Sequence, residues 1–459
     1  MTSTDLTTGL GSLLRAEQIS TAEDVLAEHA SDKWHASALA DVVVFPETTE
    51  DVSKVIRFAS AKNIPVYTRA AGTGHIGGCV PVKGGILVSM MRMNRILEVN
   101  PADGVCVTQP GVITGELQNA VRKHGWYYPP DPASLKECTI GGNIATNAGG
   151  PRCLKYGVTK QYVLGLEVVL ASGEVLRTGG RCHKNSTGFD LTSLMVGSEG
   201  MLGIVTEITV RLIPHPQTRA MLGASFPDFA AAAAAVQAIL DSGTLPSALE
   251  ITDGFTMAAA RDYLGADKLP PGDAYLMIEI DGNTETVARE LPALRDFLLE
   301  HRALRIDEAP DEPACEQIWQ LRRDFSYSLK HTGLTKLNED IVVPRSKLVD
   351  LVNFASQLQQ ETGIPVACFG HAGDGNIHTN IMVENYADPE IKKKADTALD
   401  RLFTWVIENN GVISGEHGIG LAKKPWIRQA LGDLSMDTHQ AIKKALDPQN
   451  ILNPGKFLD

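Results

Sequence analysis

Glycine gathers in three loops in the first half of this chain, and that clustering limits the fold more than any other feature. The loops are Gly72-Thr-Gly-His-Ile-Gly77, Gly141-Gly-Asn-Ile-Ala-Thr-Asn-Ala-Gly-Gly150 and Gly197-Ser-Glu-Gly-Met-Leu-Gly203. Glycine permits positive φ and lets backbone N–H groups approach an anion closely. The first loop follows a predicted strand and matches the G-x-G-x-x-G string of dinucleotide-binding turns. Its sequel does not match, because Gly78-Cys-Val-Pro-Val-Lys-Gly-Gly85 leads into another strand instead of a helix that would hold a pyrophosphate at its N-terminus. The expectation is a phosphate loop with no long helix behind it. A tight turn or a close strand approach accounts for any one such loop; three in one domain point to a shared ligand.

The 459 residues suggest two or three domains, and 43% hydrophobic with 21% charged residues describes a folded, globular chain. A net charge of −13 repels nucleic acid and offers no basic tract to anionic lipid. Seven cysteines, with no C-x-x-C pair, signal neither a disulfide framework nor an iron–sulfur site, so a reducing cytoplasm is expected. The N-terminus has no basic region ahead of an apolar stretch, and no apolar run reaches the roughly 18 residues of a membrane span.

Along the chain, Val52, Val55, Ile56 and Ala59 fall at helical spacing between two short β-branched runs, an α/β opening. A strand-rich stretch from about 84 to 215 carries a hairpin turn at Ser172-Gly173 and ends at Pro214 and Pro216. Beyond it an Ala-rich helix and the strand AYLMIEIDG begin a separate α+β layer. The division expected is 1–217, 218–444 and a C-terminal segment 445–459, too short to be a domain, that docks on the first.

His371 and His378 flank Gly373-Asp374-Gly375 symmetrically. A hairpin centred between Asp374 and Gly375 makes them direct cross-strand neighbours, with Cβ atoms ~5 Å apart on one face. That suits two imidazoles on one metal ion, although a pair of histidines stabilising a turn satisfies the same pattern. Ser414-Gly-Glu-His-Gly-Ile-Gly420 adds a carboxylate and a third imidazole. Two His with one Glu is a usual open set for a divalent ion, and a helix entry with a solvated Glu is the plain alternative for this loop.

The strings RAAGTGHIGG, YPPDPASLKECTIGGNIATNAGG, GLEVVLASGEVLRTGG and DLTSLMVGSEGMLGIVTEITVRL resemble the FAD-binding domain of the vanillyl-alcohol oxidase type. With FGHAGDGNIHTNIM, SGEHGIGLAKKPW and DPQNILNPGK, the resemblance narrows to the FAD-linked D-2-hydroxy-acid dehydrogenases, over roughly residues 36 to 459. It implies an α+β chain: a vanillyl-alcohol oxidase/PCMH-type FAD-binding domain with an α+β substrate cap. By the resemblance, Ala71, Gly72, Thr73, Gly74 and His75 cradle the FAD pyrophosphate. Pro130, Asp131, Ser134, Gly141, Gly142, Asn143, Thr146 and Gly149 line the flavin. Gly200, Gly203, Ile204 and Val205 complete the adenosine side, and Asn453 returns to the flavin. Thr73 stands where covalently flavinylated relatives carry histidine, so the FAD is expected to be non-covalent and His75 a bystander positioned by its backbone.

The resemblance also implies His371, His378 and Glu416 as ligands of zinc, manganese or iron, His417 as the general base, Arg322 as the clamp on the substrate carboxylate and Asn380 as a substrate hydrogen-bonding residue. The reaction implied is oxidation of a D-2-hydroxy acid to the 2-oxo acid, with hydride passing to flavin N5. Met201, Arg152 and Asn338 depart from the family pattern. Some relatives carry a second cation at the position of Asn338, and the nearest here is Lys336, which tilts the expectation towards a small monocarboxylate, D-lactate or glycolate. The alternatives are a D-2-hydroxyglutarate dehydrogenase, a flavin subunit of a multi-subunit glycolate oxidase complex, or a metal-dependent hydrolase that leaves the glycine loops unexplained. Electrons must leave to an external acceptor: a quinone, a cytochrome, an iron–sulfur partner protein or oxygen. A homodimer and peripheral attachment to a membrane stay open.

Overall fold

The computed structural model describes residues 3–459. Thr49–Lys62 forms a helix because Thr48 accepts the Asp51 N–H and the Asp51 carboxylate accepts the Thr48 N–H in return. Its stripe of Val52, Val55, Ile56 and Ala59 is fully buried among Val42, Val44, Ile86 and Val88. Burying each of the larger aliphatic side chains contributes about 1.5–3 kcal/mol. This helix packs on a four-stranded sheet of order Ile19–Ser20, Val42–Val44, Ile86–Ser89, Val66–Arg69, whose last three strands are parallel.

A second, antiparallel sheet runs in the order Ile96–Asn100, Val105–Thr108, Ile204–Arg211, Val163–Val169, Val175–Gly179. The turn between its last two strands, at Ser172-Gly173, has Gly173 at φ 79°. Both sheets belong to one compact unit, made of the chain up to Gly149, Val158–His215 and Glu416–Asp459.

The other unit comprises Gly150–Gly157 and Pro216–Gly415. Its seven-stranded antiparallel sheet has the order Arg305–Ala309, Thr218–Phe226, Ala274–Gly282, Ala248–Thr252, Val366–His371, Asn376–Val383, Thr335–Val342. The Ala-rich helix Phe229–Asp241, capped by Asp228, packs on this sheet.

Two boundaries differ from those expected of the sequence. The chain rejoins the first unit at Glu416, not at 445, because the turn after His417 is hydrogen-bonded to Ile76 and Glu199. Farther on, Lys443 of the helix Asp433–Leu446 is buried and donates to the Met201 and Leu452 carbonyls and to Asp447. Residues 150–157 belong to the second unit through charge. Arg152 forks onto the fully buried Glu279 with two 2.7 Å bonds, while Lys155 and Tyr156 both donate to Asp281. Among the described residues no helix is long and apolar enough to cross a membrane.

Candidate active site

In the first unit the three glycine loops enclose one cavity. Ala71, Gly72, Thr73, Gly74 and His75 line it, as do Ser134, Gly141, Gly142, Asn143, Thr146, Gly149, Gly200, Gly203, Ile204 and Val205. The first loop is irregular and leads without a helix into Ile86–Ser89. Gly141 and Gly142 lie instead in the short helix Ile140–Thr146, where the Thr139 hydroxyl accepts the Gly142 N–H. Gly200 adopts φ 72°, and a Cβ added there would come no nearer than 3.9 Å to other atoms, so it would project into the cavity wall's open side. A surface of backbone amides without side chains is what a bulky phosphorylated cofactor needs, and the residues present fit FAD on that ground.

Pro130 and Asp131 do not line the cavity. Both are buried beside it, the Pro130 carbonyl accepting from Gln118, and Pro132 and Ala133 reach the wall in their place. Asn453 stays behind the wall, its Nδ2 donating to the Gly78 and Glu199 carbonyls at 3.0 and 2.7 Å. His75 lines the cavity, and its ring lies 5.4 Å, centroid to centroid, from that of His417.

Glu416 and His417 line the same cavity, the Nε2 of His417 standing 3.7 Å from Oε1 of Glu416. Asp32, Cys79 and Glu199 also face it, none of them expected from the sequence. Glu199 is almost wholly buried, which pushes its pKa up to about 7 against the opposing bonds from Ile419 and Gly420. Its one sequence signal is its place in the third glycine cluster.

The second unit carries its own polar face, on the strands Ala248–Thr252, Val366–His371, Asn376–Val383 and Thr335–Val342. The hairpin register differs from the expected one. His371 pairs with Asn376 and His378 with Phe369, because the loop is four residues, Ala372 to Gly375, closed by the Asp374 carboxylate accepting the Asn376 N–H and by Gly375 at φ 83°. A shift of two residues keeps both histidines on one face as diagonal neighbours, and their ring centroids are 5.5 Å apart. Asn376 serves the turn, its Nδ2 donating to the Ile341 carbonyl.

Glu250, fully buried on the neighbouring strand, holds His371 through Nδ1 and accepts the Arg322 Nε at 2.7 Å. Burial opposes ionisation of Glu250, but His371 and Arg322 outweigh it and hold its pKa down to about 2. A carboxylate on one nitrogen of an imidazole fixes the tautomer and orients the other nitrogen, the usual support of a metal-ligating histidine. Arg322 also lies over the Phe369 ring, 4.7 Å from its centroid.

Lys336 shares that ring at 5.7 Å. It is two residues from Asn338 on the same strand face, half-buried, with the Ser326 hydroxyl 3.4 Å away, and burial lowers its pKa to about 8. Asn380, paired with Asn338 across the strands, commits Nδ2 to the Ala367 and His378 carbonyls, while its buried Oδ1 accepts no hydrogen bond from the described residues.

A glycine-walled cofactor cavity with a histidine at its edge, in a unit built on a four-stranded and a five-stranded sheet, defines a flavin-binding oxidoreductase. The chain belongs to the FAD-linked oxidase family, within the group of FAD-linked D-2-hydroxy-acid dehydrogenases. Residues 40–179 match the FAD binding domain and 215–457 match the C-terminal domain of FAD linked oxidases. The chain is 39% identical to glycolate oxidase subunit GlcD of Bacillus subtilis, over 92% of this chain and 89% of that one. It is 34% identical to a D-lactate dehydrogenase of Anaerostipes hadrus (92% and 90%) and 33% identical to a D-2-hydroxyglutarate dehydrogenase of Stutzerimonas stutzeri (100% and 99%). Among solved structures, 4-ethylphenol oxidase from Gulosibacter chungangensis shares the fold with a TM-score of 0.83 at 20% identity, covering 99% of this chain and 96% of that one. p-Cresol methylhydroxylase does so at 0.81 and 19%, with the same coverage. The hydrolase alternative falls with these matches.

Proposed function

We propose that this protein oxidises a small D-2-hydroxy acid of the D-lactate or glycolate class to the 2-oxo acid, using non-covalent FAD and with His417 as the base. The observation that carries the reading is that His417 lines the cavity enclosed by the three glycine loops. When bound, FAD supplies the acceptor for the hydride leaving the substrate Cα, and a zinc, manganese or iron ion on His371, His378 and Glu416 would lower the pKa of the substrate hydroxyl.

The chain's own residues do the rest. His417 takes the hydroxyl proton. Arg322, steadied at Nε by Glu250, meets the substrate carboxylate through its Nη atoms. Asn380, its amide donors committed to the backbone, offers Oδ1 to a hydroxyl. The carboxylate behind His371 is what supports a metal there. Thr73 supports non-covalent FAD, and the unclustered cysteines support an external electron acceptor and a reducing, cytoplasmic setting.

A second reading is favoured by one residue. Lys336, a half-buried cation sharing the Phe369 ring with Arg322, suits the distal carboxylate of a dicarboxylate such as D-2-hydroxyglutarate. Anaerobic bleaching of the flavin by D-lactate, L-lactate, glycolate and D-2-hydroxyglutarate decides. Fastest reduction by D-lactate or glycolate supports the first reading and fastest reduction by D-2-hydroxyglutarate the second; reduction by none of them sinks both.

A further inference from the structure

We propose that Glu199 is a positioning residue for His417, bracing the turn that carries the imidazole and tying it to the cofactor loops. The proposal rests on the reading of His417 as the base and adds the residue through which the fold holds that base in place.

Every polar group of Glu199 is engaged by a different part of the first unit. Its N–H donates to the Ala145 carbonyl at 2.8 Å, in the second glycine loop. Its carbonyl accepts Asn453 Nδ2 from the C-terminal segment. Its carboxylate receives two amides that follow His417 and Gly418, Ile419 N–H on Oε1 at 2.7 Å and Gly420 N–H on Oε2 at 2.9 Å. The next two amides, Leu421 and Ala422, both donate to the Ile76 carbonyl of the first glycine loop, at 2.7 and 3.1 Å. Four successive amides after the imidazole are therefore fixed to two walls of one cavity.

Glu199 holds this place against its own preferences. It is a non-glycine residue at φ 51° and only 7% exposed, an unfavourable setting for a carboxylate charge. Its two carboxylate oxygens each take one of two consecutive amides, so the turn is held at two points by one side chain. If the turn were loose, the imidazole would sample orientations in which it cannot reach the substrate proton, and misplacement of about 1 Å is enough to cost a reaction a hundredfold.

The test is a double-mutant cycle on the FAD-loaded enzyme with Glu199→Ala, His417→Asn and the pair, reading the anaerobic flavin-reduction rate with D-lactate, or with D-2-hydroxyglutarate if that substrate is faster. Backbone amide exchange of residues 417–422 is measured alongside, with and without FAD. Expected are a ten- to hundredfold slower reduction in E199A with FAD affinity within threefold of the parent, less than a further twofold loss when E199A is added to H417N, and at least tenfold faster exchange at Ile419 and Gly420. Glu199→Gln, which keeps one acceptor oxygen, should fall between, and it carries the comparison if E199A does not fold. Losses that multiply in the double variant, unchanged exchange, or a rate loss that follows FAD dissociation would each overturn the role of Glu199 while leaving His417 as the base. Full activity in H417N would overturn the base itself, and this proposal with it.

Discussion

His417, Arg322 and Lys336 each make a separable claim. Replacing His417 with Asn removes the proposed proton acceptor while keeping a polar side chain of similar reach, so flavin reduction should slow about 10²- to 10⁴-fold with FAD still bound, as stopped-flow absorbance will read. Arg322→Ala should do two things. It should weaken substrate binding, and it should destabilise the protein by about 3–5 kcal/mol, since Glu250 would keep a buried charge with its guanidinium partner gone, a loss visible in denaturant unfolding. Lys336→Met separates the two substrate readings: a roughly tenfold or greater rise in KM for D-2-hydroxyglutarate with little change for D-lactate marks the lysine as a distal-carboxylate contact. His417 and Arg322 were legible as candidates because they stand in strings dense with chemistry. Glu250 was not, since a single carboxylate in Ala-Leu-Glu-Ile-Thr looks like an ordinary strand residue. The available signal was its place in a strand otherwise wholly buried, where an acid must have partners.

At the level of elements, the hairpin shows why face is easier to read than register. Strand side chains alternate with a period of two, so any even error in pairing leaves His371 and His378 on the same side, and the longer loop displaced them without separating them. The first glycine string was also legible, but only through what followed it: a strand, where a dinucleotide turn needs a helix. The second was less so, because a helix of seven residues containing two glycines runs against propensity and is held by its Thr139 cap and by tertiary packing. The C-terminal segment supports the cavity from behind. Asn453→Ala should therefore weaken FAD about tenfold, measured by flavin fluorescence on titration, without slowing reduction of the FAD-saturated enzyme.

For the whole molecule, acid stability follows from buried carboxylates. Burial disfavours charge on Glu279, yet Arg152 and Arg219 prevail and hold its pKa down to about 2. A carboxylate with a depressed folded pKa contributes stability that is present above its unfolded pKa of about 4.5 and is lost as pH falls towards 2, because the unfolded chain binds the proton first. Unfolding free energy should decline over that window by something on the order of 3 kcal/mol from this residue, and Glu279→Gln should flatten the slope in urea titrations at stepped pH. The sequence supported two domains and the return of residues 445–459 to the first, but not the earlier return at Glu416 or the transfer of residues 150–157, since neither composition nor periodicity reveals that Arg152 pairs with a strand more than a hundred residues away.

That interleaving has a consequence for synthesis. The chain passes between the two units after Gly149, Gly157, His215 and Gly415, so no single cut separates them into intact halves. The wall that carries Glu416 and His417, and the Asn453 strut behind it, come after the whole of the second unit in the chain. The three glycine loops are thus synthesised about two hundred residues ahead of the Glu416 and His417 wall of the cavity they share, and a nascent chain holds that cavity incomplete until the whole second unit has been made.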